Sequence, residues 1–181
     1  MIRALTFGVL VLLSMHTGWG DEKQDTHAEH HSTAAENPTM ATLTKLVGTW
    51  VAADDKNQPT DQVVSVIKLT AGGSVLHETL FPGQDQEMVS IYTVDGEDVV
   101  MTHYCMLGNQ PRMKASGQST DNTIKWAFAG GSNLDPAKDK HMHGATLTIL
   151  DPDHIKIEGV AWDNGKPAEE MCGTMNLVRQ K

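Results

Sequence analysis

The chain has 181 residues, 39% of them apolar and 20% charged, with 16 Gly and 7 Pro. That composition excludes collagen-like, low-complexity and wholly disordered chains. Its 14 basic against 23 acidic residues give a formal charge of −9 with no Lys/Arg cluster. The positive footprint that a phosphate backbone demands is missing, so nucleic acid is excluded as a partner, and one acidic globular domain remains.

Arg3 precedes the apolar run Ala4-Leu5-Thr6-Phe7-Gly8-Val9-Leu10-Val11-Leu12-Leu13, and Gly18-Trp19-Gly20 then places small residues where a signal peptidase inspects the chain. This pattern predicts a signal peptide over 1–20 and therefore a secreted or periplasmic protein. The run is shorter than the ~20 residues a bilayer-spanning helix needs, so no membrane span is expected after cleavage. Residues 21–37 carry His27, His30 and His31 but no Val, Ile, Leu or aromatic side chain. They bury too little surface to offset their ordering entropy, which predicts a disordered His-containing tether ahead of a domain over 38–181.

Asn37-Pro38 reads as a helix cap followed by a first-turn proline, with Met40, Leu43, Leu46 and Val47 on one face of a short helix. From Val47 the period changes to two. Turn clusters such as Ala71-Gly72-Gly73, Pro82-Gly83, Asp95-Gly96, Asp151-Pro152-Asp153 and Asp163-Asn164-Gly165 divide the rest into strands near 47–53, 62–70, 73–81, 87–95, 98–107, 112–118, 123–129, 141–150, 154–162 and 169–179. Short connections between consecutive strands make antiparallel neighbours. An all-β fold with so many strands and one short N-terminal helix must cover its edges, so a closed or nearly closed antiparallel up-and-down barrel of about ten strands is expected. A two-sheet sandwich is the alternative. A barrel of this strand number tends to enclose a cavity.

Leu46-Val47-Gly48-Thr49-Trp50 opens the first strand, and Arg179 stands in the last. The pattern resembles the Gly-x-Trp signature of the calycin superfamily, which includes lipocalins and fatty-acid-binding proteins. The resemblance implies that Trp50, beside Gly48, closes one end of the barrel and packs against Arg179, a cation–π arrangement worth ~0.5–2 kcal/mol. More narrowly, the segments around Glu87 to Tyr92, Thr102-His103-Tyr104-Cys105, Gly108-Asn109-Gln110-Pro111-Arg112-Met113, His141-Met142-His143 and Asp151 to His154 are similar to a group of secreted bacterial lipocalin-like proteins of undetermined role.

Strand alternation assigns faces. Leu76, Glu78 and Leu80 form one apolar face, Met88, Ser90, Tyr92 and Val94 another, and Val99, Met101, His103, Cys105 and Leu107 a third. Facing these sets inward brings Glu78, Tyr92, His103 and Cys105 to one lumen, where they offer polar anchors to a ligand or satisfy one another as a buried network. Asn109, Gln110 and Arg112 supply amide and guanidinium donors near a cavity mouth, or form a turn that sets register. His141 and His143 lie two residues apart on one strand, and with His103 they could hold zinc or copper. The eight methionines outside the expected signal peptide, Met101, Met106, Met142, Met171 and Met175 among them, suit an adaptable apolar lining or soft-metal coordination.

Alternation puts Cys105 inward and Cys172 outward, which forbids a disulfide between them. No nucleophile elbow, Cys-x-x-Cys pair, zinc-protease helix or phosphate loop occurs. The expected function is binding of a small apolar or amphipathic molecule inside the barrel, without a cofactor. A transition-metal binder is the alternative, and an enzyme with a cavity base is a third reading.

Overall fold

The computed structural model describes residues 36–117 and 119–181. The expected signal peptide over 1–20 lies outside the described residues, as does the expected tether except for Glu36 and Asn37. Among the described residues no helix is long and apolar enough to cross a membrane.

Helix α1 (Pro38–Thr44) starts as its sequence dictates. The Asn37 side-chain oxygen accepts from the Met40 backbone N–H at 3.1 Å, and Pro38 occupies the first turn, where no donor is needed. The Asn37 amide also donates to the Glu97 carbonyl at 2.9 Å, tying the helix start to a distant turn. Met40, Leu43 and Leu46 are buried. Val47 is 40% exposed, because the helix ends at Thr44 and its period does not carry that far.

Eleven strands follow: β1 (Gly48–Ala53), β2 (Pro59–Thr70), β3 (Val75–Leu80), β4 (Met88–Asp95), β5 (Asp98–Tyr104), β6 (Gln110–Ala115), β7 (Thr123–Ser132), β8 (His141–Asp151), β9 (His154–Asp163), the two-residue β10 (Lys166–Pro167) and β11 (Gly173–Arg179). Strands β1 to β9 pair antiparallel in succession, and β11 pairs with both β9 and β1. The ring of ten therefore closes, with β10 as a short addition on β9. Closure leaves no open edge, which resolves the choice between barrel and sandwich.

One end of the barrel is sealed by the partners that the Gly-x-Trp pattern suggested. Trp50 is fully buried and its Nε1–H donates to the Leu46 carbonyl at 2.8 Å. Arg179 is the direct cross-strand neighbour of Trp50, and its guanidinium carbon lies 4.3 Å from the indole centroid. The same guanidinium donates to the carbonyls of Lys45, Val47 and Pro152 at 2.9, 2.8 and 3.0 Å. It thereby joins the helix exit, the first strand and the β8–β9 turn.

Alternation fails in three places, each with a local cause. Strand β5 stops at Tyr104, and the turn that follows, with the Gly108 N–H donating to the Cys105 carbonyl at 2.9 Å, leaves Leu107 45% exposed and takes Cys105 off the inward face. The last strand begins at Gly173 rather than near 169, because Glu169–Met171 form a 3-10 turn that exposes Met171. Strand β8 carries a register shift between Met142 and Gly144, so Met142 rather than its histidine neighbours joins the cavity wall. Both cysteines are unbonded.

Candidate functional site

The barrel encloses a cavity of about 120 Å³. Leu43 and Leu46 close it from the helix side, and its wall is otherwise built from inward residues of β2, β3, β4, β5, β7, β8, β9 and β11, among them Leu76, Met101, Trp126, Met142 and Met175. Apolar side chains make up nearly all of this lining. Four polar residues break it, Glu78, Ser90, Tyr92 and His103, and all four come from three consecutive strands.

Register explains the clustering. Glu78 on β3 faces Ser90 on β4, which in turn faces His103 on β5. Directly opposed residues on one sheet face stand ~4.5–5.5 Å apart, so the three side chains form a row across the wall. Tyr92 and Ser65 extend the row diagonally. Ser65 Oγ–H donates to Glu78 Oε1 at 2.6 Å, Tyr92 O–H donates to Oε2 at 2.5 Å, and Ser90 Oγ and His103 Nδ1 are 3.0 Å apart. Glu78, Ser65, Ser90 and His103 are each at most 4% exposed.

Burial dominates the electrostatics of this row. It raises the Glu78 carboxyl above its usual range, while the Ser65 and Tyr92 hydroxyls and the nearby His77 pull the other way. Desolvation, followed by the charge and hydrogen bond of Glu78, pushes the Tyr92 phenol well above its ordinary value. Burial lowers His103 to about 4, so the imidazole is neutral at physiological pH. The Tyr92 ring leans on Trp126 at 5.5 Å between centroids and 54° between planes.

No protein-family model matches this chain, and no curated protein matches it.

Of the residues singled out from sequence, Glu78, Tyr92 and His103 do meet at the lumen. Cys105, Asn109, Gln110 and Arg112 do not line it. The Cys105 thiol is half-buried, and burial pushes it up from its ordinary value. Asn109 donates from Nδ2 to the Lys140 carbonyl at 2.8 Å, and Gln110 from Nε2 to the Gly108 carbonyl at 3.0 Å. The Asn109 amide holds the β5–β6 hairpin against the segment before β8, the Gln110 amide braces the turn itself, and Arg112 is exposed on β6. The segment thus takes the register-setting role rather than that of a cavity mouth.

The proposed three-histidine metal set is not assembled. His141 Nδ1–H donates to the Asp139 carbonyl at 2.7 Å. Its Nε2 lies 3.0 Å from Nδ1 of His143, so the two rings hydrogen-bond to each other. His143 is sandwiched between Phe128 and Trp162, at 4.6 and 3.8 Å between centroids, and burial lowers its pKa. Neither ring lines the cavity that His103 borders. Among the described residues no group of three His, Cys, Asp or Glu side chains is placed to hold a metal ion.

Ser65 and Ser90 complete the polar row, yet the sequence reading gave neither a role in it. The available signal was weak: each hydroxyl stands alone among apolar and β-branched neighbours, Ser65 between Val64 and Val66, Ser90 between Val89 and Ile91.

Proposed function

We propose that this chain is a secreted or periplasmic barrel of calycin type that binds a small apolar or amphipathic molecule in its lumen. The observation that carries the reading is the cavity of about 120 Å³ with hydrocarbon on most sides and a polar row on one. Ligand pockets share that make-up, an apolar wall with a few polar groups that fix orientation. Size narrows the class. An apolar cavity of roughly 150 Å³ takes up benzene, whereas pockets for drug-sized molecules run to about 300–1,000 Å³. One ring is therefore a better match than a long acyl chain. The Trp50–Arg179 seal supports the calycin assignment, because it occupies the first and last strands as the resemblance implies.

Titration of the protein with toluene, followed by the methyl resonances of Met101 and Met142 and by Trp126 fluorescence, tests this. Saturable shifts at these lining residues are expected, and Ala145→Trp, which fills the lumen, is expected to abolish them. Lining resonances that stay unmoved at saturating toluene would overturn the reading.

A further inference from the structure

Glu78 is a buried acid without a counter-charge in the lumen. Ser65 Oγ–H and Tyr92 O–H reach its two carboxyl oxygens at 2.6 and 2.5 Å, the lengths of hydroxyl groups bonded to an ionised carboxylate. Those donors stabilise the anion but bring no charge to offset it. The residues that line the lumen include no Lys or Arg, and His103 is kept neutral by burial. A charge in apolar surroundings is costly unless it is paired, and the raised Glu78 pKa reflects that cost.

The walls around the carboxylate suit a cation. A carboxylate offers about four lone pairs, of which the two hydroxyl groups use two. Ser90 stands directly opposite Glu78 on β4, so its hydroxyl oxygen is a second acceptor on the same row. Tyr92 and Trp126 both border the lumen, 5.5 Å apart between centroids, and a cation within about 6 Å of such a ring is drawn to its face. Met101 and Met142 add polarizable sulfur to the wall.

We infer that the lumen takes a small primary amine carrying one ring, whose ammonium group pairs with Glu78 while the ring packs against Trp126 and the methionines. This assignment rests on the lumenal binding proposed above and adds the charge of the ligand's polar end. The ammonium supplies the positive charge that the lining omits, and the hydrocarbon wall takes the ring. An anion would meet Glu78 in the same dry space, and a neutral alcohol of the same shape leaves the carboxylate unpaired. A fatty acid therefore fails on charge as well as on length.

Calorimetric titration of the full chain with benzylamine, benzyl alcohol and toluene at a series of pH values tests the assignment. Near neutral pH benzylamine is expected to bind about ten- to a hundredfold more tightly than benzyl alcohol, the worth of a hydrogen bond to a charged group. Its amine stays protonated throughout, as a lysine side chain does. Its affinity is therefore expected to rise with pH as Glu78 ionises, while benzyl alcohol and toluene change little. Tyr92 and His103 also face Glu78 in the lumen, and His77 stands beside it on β3. Glu78→Gln separates their titration from its own, and is expected to erase both the excess over benzyl alcohol and the rise with pH. Should that variant not fold, the pH series on the unaltered chain decides, together with the proton that benzylamine displaces, read in buffers of different ionisation heat. Benzylamine bound no more tightly than benzyl alcohol, an excess that survives Glu78→Gln, or an affinity indifferent to pH would overturn the amine assignment and leave lumenal binding standing. Failure of all three compounds to bind would overturn both.

Discussion

A Cβ added to Gly48 would lie 2.8 Å from Nη1 of Arg179. The guanidinium is held there by three backbone carbonyls and by the Trp50 face, so it has little freedom to retreat. Gly48 also has φ of +142°, a region side chains rarely adopt. The glycine of the Gly-x-Trp pattern is thus required by the arginine at the far end of the domain's sequence, and together they lock the first strand to the last.

Gly48→Ala is expected to lower stability by about 1–3 kcal/mol through backbone strain and the displaced guanidinium. Arg179→Met keeps the packing volume but removes the donors to Lys45, Val47 and Pro152, for an expected loss of about 2–4 kcal/mol. Urea unfolding followed by tryptophan fluorescence measures both. Midpoints equal to that of the unaltered protein would contradict the seal.

The pH dependence of stability follows from the buried row. His103 titrates at about 4 in the folded protein against 6.5 when exposed, so the unfolded chain takes up the proton first as pH falls. Its contribution is fully present above about 6.5 and is lost as pH falls through 4, up to about 3 kcal/mol in all. His143, also lowered, works in the same direction. Glu78 opposes them: its folded value is raised, so its contribution is fully present below 4.5 and lost as pH rises through the folded value. Unfolding free energies at a series of pH values are expected to rise between 4.5 and 6.5 in the unaltered protein, less steeply in His103→Leu and more steeply in Glu78→Gln. A slope unchanged by His103→Leu would count against the buried neutral imidazole.

Leu43 is 4% exposed and closes the cavity from helix α1. Leu43→Ala is expected to cost about 2–5 kcal/mol and to enlarge the lumen. Naphthalene, too large for the unaltered cavity, is expected to bind this variant, as read by fluorescence of the ligand. Equal exclusion of naphthalene by both proteins would show that α1 does not limit ligand size.

The two thiols should react at different rates. Cys172 is exposed, whereas Cys105 is half-buried with its pKa pushed up by burial. Titration with a chromogenic disulfide under non-reducing conditions is expected to find both thiols free, with a fast phase that disappears in Cys172→Ser. Intact mass showing a bridged chain would exclude this.

Much of the site's wall was legible because strands obey a strict period. Leu76, Glu78 and Leu80 on β3, Ser90 and Tyr92 on β4, and Met101 and His103 on β5 all border the lumen as alternation places them. The same rule misplaced Cys105, because hydrophobicity continued past the residue where hydrogen bonding turned the chain. It misled at His141 and His143 because an added residue in one strand leaves no mark in composition, yet changes which side chains face inward.

By itself, the sequence determined the approximate number and limits of the barrel strands and the capped helix, since these depend on local period and turn chemistry, while the pairing of Trp50 with Arg179 was implied only by the resemblance to the Gly-x-Trp pattern. Only the tertiary structure decided that two ordinary serines become the partners of Glu78 and of His103, and that His141 and His143 pack against Phe128 outside the cavity wall. The reason is register. Which residue stands opposite another is set by turns and bulges accumulated around the whole ring, and no single segment of the chain contains that sum.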